Sequence, residues 1–125
     1  MPVAMVQADA RTVLVRVMGD VTFEEVQRFL DDLARVRDTH GAVALLADCR
    51  GVESTVSAAE MRQLVDDLRP FIRSGINRFA LVTDRTWMYG IGRMFGALAE
   101  LADAKVNVFR DMDAAQKWLD EQSPG

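Results

Sequence analysis

The chain has 125 residues, half of them apolar, and a net charge of −4 with acidic and basic residues interleaved. That length supports one domain with a buried core, and the lack of a sustained basic stripe argues against a nucleic-acid partner. A single cysteine, Cys49, excludes an internal disulfide framework. No apolar run approaches the roughly 20 residues that span a bilayer, and the first residues lack the basic-then-apolar pattern of a secretion signal; a cytoplasmic protein without a transmembrane segment is expected.

Val3 to Gln7 and Thr12 to Met18 read as two strands around a turn at Ala8-Asp9-Ala10-Arg11. In the second, Val13, Val15 and Val17 share one face and Arg16 takes the other, so that other face is less completely covered. Gly19-Asp20 ends it. Thr22 with Glu25 forms a capping box for a first helix of about four turns. Its Val26, Phe29, Leu30, Leu33 and Val36 fall on one face, with the pairs Glu24/Arg28 and Asp31/Arg35 outside. His40 beside Gly41 marks the helix end, where a cation suits the dipole.

The stretch that organises the chain comes next. Ala42-Val43-Ala44-Leu45-Leu46-Ala47 is too short for a free-standing helix and too uniformly apolar for a half-exposed strand. A strand covered on both faces, as in parallel sheets, fits it. After Asp48, a loop from Cys49 to Val56 leads to a second helix with Met61, Leu64, Val65, Leu68 and Ile72 at helical spacing, opened by a Ser57/Glu60 capping box. Pro70 predicts a kink or an early end, and Gly75 a C-terminal cap. Ile76 to Thr83 is another strand, apolar on both faces at Phe79-Ala80-Leu81-Val82.

From Thr86 to Ala102 a third helix carries Trp87, Ile91, Phe95 and Leu98 at core spacing, with Met88, Tyr89 and Met94 spread around it. That is more apolar surface than one buried face needs. Val106 to Phe109 is a short last strand, and Asp111 or Asp113 caps a final helix anchored by Ala115, Trp118 and Leu119. A single domain over residues 1–122 is expected, with Ser123-Pro124-Gly125 frayed. The order of elements defines an α/β chain: a mixed, mostly parallel sheet of about five strands with an antiparallel first strand, four helices and right-handed crossovers.

In a parallel sheet the carboxyl ends of the strands share one rim, and four strands here end at an aspartate: Asp20, Asp48, Asp84 and Asp111, with Arg50, Arg85 and Arg110 close by. Such a rim binds ligands in open α/β sheets and would suit a weak magnesium site. Aspartate at these places more often starts loops and caps helices. Asp48 and Thr83 imitate a phosphorelay receiver, but the paired acidic site and the lysine ending the last strand are missing, since Lys105 precedes that strand.

Gly90-Ile91-Gly92-Arg93-Met94-Phe95-Gly96 places dinucleotide-type glycines inside a helix instead of at a strand-to-helix turn, so Gly92 and Gly96 read as points of close packing. Cys49, directly after an apolar strand, reads as a partly buried, inert thiol. With His40 it forms no metal or nucleophile motif, and no catalytic triad assembles. No catalytic residue, metal or cofactor is therefore expected.

The element order, with Ala42-Val43-Ala44-Leu45-Leu46-Ala47-Asp48-Cys49-Arg50-Gly51-Val52 and the serine-initiated helix after it, resembles the STAS-like domains. More specifically it resembles the SpoIIAA-like branch, grouped with anti-sigma factor antagonists. Arg78-Phe79-Ala80-Leu81-Val82-Thr83-Asp84, Val108-Phe109-Arg110-Asp111, Ala114-Ala115 and Trp118-Leu119 extend the likeness over nearly the whole chain.

The resemblance implies a β-α superhelix acting as a non-enzymatic regulatory module. Antagonists of this type bind a kinase-like anti-sigma factor and are switched by phosphorylation of a serine at the start of the second helix, a position that falls on Ser57. The usual Asp-Ser-Ser-Gly is here Val56-Ser57-Ala58-Ala59, which weighs against the switch and for a plain helix cap. A protein partner is expected at a rim formed by Asp48, Ser54, Thr55, Ser57, Asp84, Arg85, Trp87 and Tyr89. The alternative is a carrier of a small apolar ligand or lipid, an architecture-level analogy, and the apolar excess of the third helix would also suit a homodimer.

Overall fold

Alternation along the strands is satisfied by a five-stranded sheet in the computed structural model, which describes residues 3–8, 12–40 and 44–122. The elements follow in the order β1 (Val3–Ala8), β2 (Thr12–Asp20), α1 (Phe23–His40), β3 (Ala44–Ser54), α2 (Ala58–Arg73), β4 (Arg78–Val82), α3 (Thr86–Glu100), β5 (Lys105–Phe109) and α4 (Met112–Gln122). Strand order in space equals order in sequence. β1 pairs antiparallel with β2 and the remaining pairs are parallel, so the expected mixed architecture is what forms. The turn at 9–11, Gly41 to Val43 and Ser123-Pro124-Gly125 lie outside the described residues.

Each right-handed crossover steps to the neighbouring strand in the same direction, which puts α1, α2 and α3 on one face. There Val13, Val15, Leu45, Ala47 and Phe79 meet Leu33, Met61, Val65, Leu68, Met88 and Phe95. The chain then turns after β5, and α4 covers the opposite face, where Ala44, Leu46, Ala80 and Val82 pack under Ala115 and Leu119. Both faces of β3 and β4 are thereby buried, which is why their sequences are apolar without alternation.

Several local expectations shift. β3 does not end at Asp48 but runs to Ser54, paired with β2 up to Asp20↔Ser54; Cys49 and Val52 are buried while Arg50 and Gly51 between them are exposed, the alternation being shifted by the extra residue where Arg16↔Asp48 gives way to Met18↔Gly51. α2 runs through Pro70 to Arg73, so the proline forfeits its own hydrogen bond to the Asp66 carbonyl without ending the helix. Gly75, at φ +114°, then ends it: its N–H donates to the Ile72 carbonyl and that of Ile76 to the Phe71 carbonyl, the paired bonds of a Schellman motif. α1 has about five turns. Its Arg28 pairs with Glu24 at 2.7 Å, whereas Arg35 pairs with Asp32, not Asp31.

α3 is rotated relative to its expected face. Met88, Gly92, Phe95 and Ala99 are its buried residues, and Trp87 stands 42% exposed. The glycines explain the rotation. A Cβ on Gly92 would stand 2.8 Å from Val108 Cγ2 and one on Gly96 3.4 Å from Val106 Cβ, so the glycine side of α3 lies against β5 and turns Trp87 outward.

Candidate functional site

Two places combine the predicted residues with chemistry: the rim at the carboxyl ends of the parallel strands, and the space between the sheet and α1, α2 and α3.

At the rim, Asp20 accepts a 2.8 Å hydrogen bond from the Ser54 hydroxyl, tying the ends of β2 and β3 together. Ser57 is the N-cap of α2. Its Oγ accepts from the Glu60 N–H at 3.1 Å and its own N–H donates to Glu60 Oε1 at 2.9 Å, so both halves of the expected capping box form. Asp111 takes the corresponding position before α4, accepting from the Ala114 N–H at 2.8 Å; of the two candidates it is the one that caps. Thr83 accepts from the Arg85 N–H at 3.2 Å. Arg110 lies 5.2 Å above the Tyr89 ring.

Asp48 sits inside β3 instead of at its end, on the face that α4 covers further down, and is buried. Arg50, two residues on and therefore on the same side, holds it with two 2.8 Å bonds to its two carboxylate oxygens. These side-chain bonds keep the Asp48 carboxyl below the usual range against the opposing effect of burial; the Arg50 backbone N–H and the charges of Arg50 and Arg16 add to the lowering. The bonds to Asp48 and its charge raise the Arg50 pKa in turn, and the Asp84 charge adds a smaller contribution. Asp48 is thus a neutralised structural carboxylate, and the structure groups it with Arg16, Arg50 and Asp84, not with Ser57. Among the described residues, no group of three or more His, Cys, Asp or Glu is placed to hold a metal ion.

The second place was not singled out from the sequence. Between the sheet and helices α1, α2 and α3 lies a cavity of about 150 Å³ whose walls are almost entirely carbon. Ala47, Cys49, Phe79 and Leu81 form its floor, and Leu33, Leu68, Met88 and Phe95 are among the side chains above. Phe29, Thr55, Leu64 and Ile91, all half-buried, belong to the lining, so it reaches toward the surface between the helices. Thr55 is the one predicted rim residue that borders it.

Cys49 faces this space, and burial, helped by the Asp48 charge, pushes its thiol up to about 12. It is therefore a protonated, unreactive wall at neutral pH, as expected. A sequence signal for the cavity exists only in retrospect: Ala47 and Gly92, two small residues, occupy central positions of an otherwise large-residue layer.

A mixed sheet with three helices on one face and one on the other, a neutralised carboxylate on the α4 face and an apolar cavity beneath the other three helices defines an α/β domain. The sequence profile of the SpoIIAA-like family matches residues 12–120, and the chain belongs to that family. Among solved structures it is similar to an uncharacterised protein of Shewanella loihica PV-4 with a SpoIIAA-like fold. That likeness is one of fold, with a TM-score of 0.57 at 16% identity over 94% of this chain and 91% of the other. No curated protein matches. No described helix is long and apolar enough to cross a membrane.

Proposed function

We propose that this chain is a non-enzymatic, cytoplasmic binding module that takes a small apolar ligand between its sheet and helices α1, α2 and α3. The cavity of about 150 Å³ carries the proposal. Protein interiors leave few voids larger than a water molecule, and an enclosed apolar space of this size accepts a ligand of roughly benzene dimensions; here the opening between the helices gives such a ligand a way in. Water has no polar partner there; a hydrocarbon has all the contacts it needs. A titration with benzene followed by methyl NMR tests it. Shifts are expected at Leu45, Leu81 and Ile91 and should vanish in a folded Ala47→Leu variant, whose side chain fills the space. Unmoved methyl signals in the wild type would overturn the proposal.

A second reading, a regulatory protein-interaction module resembling anti-sigma factor antagonists, is favoured by the exposure of Trp87 beside Arg85 and Asp84 at the start of α3. Large aromatics beside arginine are typical anchors of protein interfaces. Under this reading Trp87→Ala abolishes capture of a kinase-like anti-sigma factor from the same host and leaves the benzene titration unchanged. Ser57 acts there as a cap: Ser57→Ala costs about 1 kcal/mol of stability and leaves capture intact. A Ser57→Ala variant of unchanged stability that escapes regulation would restore the phosphoswitch.

A further inference from the structure

The outward face of α3 has the composition of a buried one. Trp87, Gly90, Met94, Ala97 and Leu101 follow one another at alternating spacings of three and four, the repeat of a helix–helix seam, and all are exposed. Trp87, Met94 and Leu101 are 42%, 37% and 78% accessible. The helix holds only two charged residues, Arg93 and Glu100, which stand one heptad apart along the same flank of that seam. Neither forms an ion pair within the chain among the described residues. Ile91 and Leu98, half-buried, form the opposite flank.

We propose that this face is the interface of a twofold homodimer in which α3 packs antiparallel against α3 of a second copy. The choice of occupant follows from self-complementarity. In the antiparallel register that sets Met94 against the second copy's Ala97, Leu101 falls against Gly90, so these two large residues each meet a small one, while Trp87 lies past the paired stretch at the edge of the interface. Among the described residues, no atom other than those of its chain neighbours and the adjoining helix backbone lies within 4 Å of where a Gly90 Cβ would stand, leaving room for that leucine. The same register brings Arg93 of each copy to Glu100 of the other, forming two equivalent ion pairs, and joins Ile91 to Leu98 on the apolar flank.

A parallel pairing would stack Trp87 on Trp87 and Gly90 on Gly90 and would leave both charges facing apolar residues. A lipid surface would gain nothing from opposite charges spaced one heptad apart. Closed twofold symmetry is also the commonest form of a homo-oligomer, and it requires a patch complementary to itself. The interface meets the cavity at Ile91, which belongs to both, but Arg93 and Glu100 do not line the cavity, so their charge reversal tests the dimer independently of the ligand proposal.

Sedimentation velocity across a concentration series tests it with charge reversal. The wild type should sediment as a reversible dimer. Arg93→Glu and Glu100→Arg each turn two attractive contacts into repulsive ones and should weaken the dimer on the order of tenfold, while the double variant should return it to within a few-fold of the wild type. Circular dichroism confirms that all three remain folded, as exposed positions allow. A wild type that stays monomeric at the highest concentration it tolerates overturns the proposal, as does a folded double variant that fails to recover. A monomer that binds phosphatidylcholine vesicles through this face overturns it in favour of a membrane.

Discussion

On the face covered by α4, the sheet offers Ala44, Leu46, Ala80 and Val82, and one helix lies close upon them through Ala115 and Leu119. On the other face the same strands offer Leu45, Ala47, Phe79 and Leu81 to three helices, and a cavity of about 150 Å³ remains. The larger side chains thus enclose the emptier layer. One helix can settle onto small residues until contact is complete; three helices whose spacing is set by the strands they connect cannot all close on the space between them. An apolar ligand entering that space would gain the contacts the facing side chains do not make with one another, which is how an apparent packing defect becomes a binding site.

The largest effect should come from Phe79, which is fully buried in the cavity floor and meets Phe95 edge-on at 6.0 Å. Phe79→Ala should lose about 3–5 kcal/mol in chemical denaturation and widen the space. The sharpest test of the two faces is one substitution made on each. Ala80→Leu, under α4, should overpack and cost about 1–3 kcal/mol. Ala47→Leu should be neutral or stabilising by up to about 1 kcal/mol, since its methyls enter the cavity. Equal destabilisation by both would mean that the two layers are equally filled.

A smaller effect concerns the charged end of the α4 face. Asp48 has a folded pKa below its ordinary 3.8, so its contribution is fully present above that value and is lost as pH falls through the depressed one. Asp48→Asn should therefore flatten the acid limb of a stability–pH curve below about pH 4; an unchanged limb would show that the Arg50 pair does not form in solution. Smallest in energy is Cys49, whose thiol should resist maleimide at pH 8 in the native state and react on unfolding. Rapid native labelling would mean that the cavity opens wide.

How much of this was legible depends on where side chains carry the information. Strands buried on both faces announce themselves at Leu45-Leu46-Ala47 and Phe79-Ala80-Leu81-Val82, and the Ser57/Glu60 and Gly75 helix ends are local chemistry, so the α/β order and the family resemblance could be read directly. The extension of β3 was hidden because Asp48, Arg50 and Gly51 look like loop residues until their pairing with β2 supplies the missing hydrogen bonds. Pro70 misled by its type, since the helix continues through it to Arg73. The face of α3 was misjudged by one residue because Gly92 and Gly96, which carry no side chain, decide which way it turns. The cavity was beyond reach for a related reason: apolar residues are visible in a sequence, but the volume they fail to fill is set by the distances between elements.

Native mass spectrometry of protein purified gently from its own host tests the central claim most directly. The account predicts an added mass matching a small apolar molecule, present in the wild type and absent from folded Ala47→Leu. A bare chain in both, together with a wild type unmoved by benzene, would contradict it and leave the cavity as a packing defect.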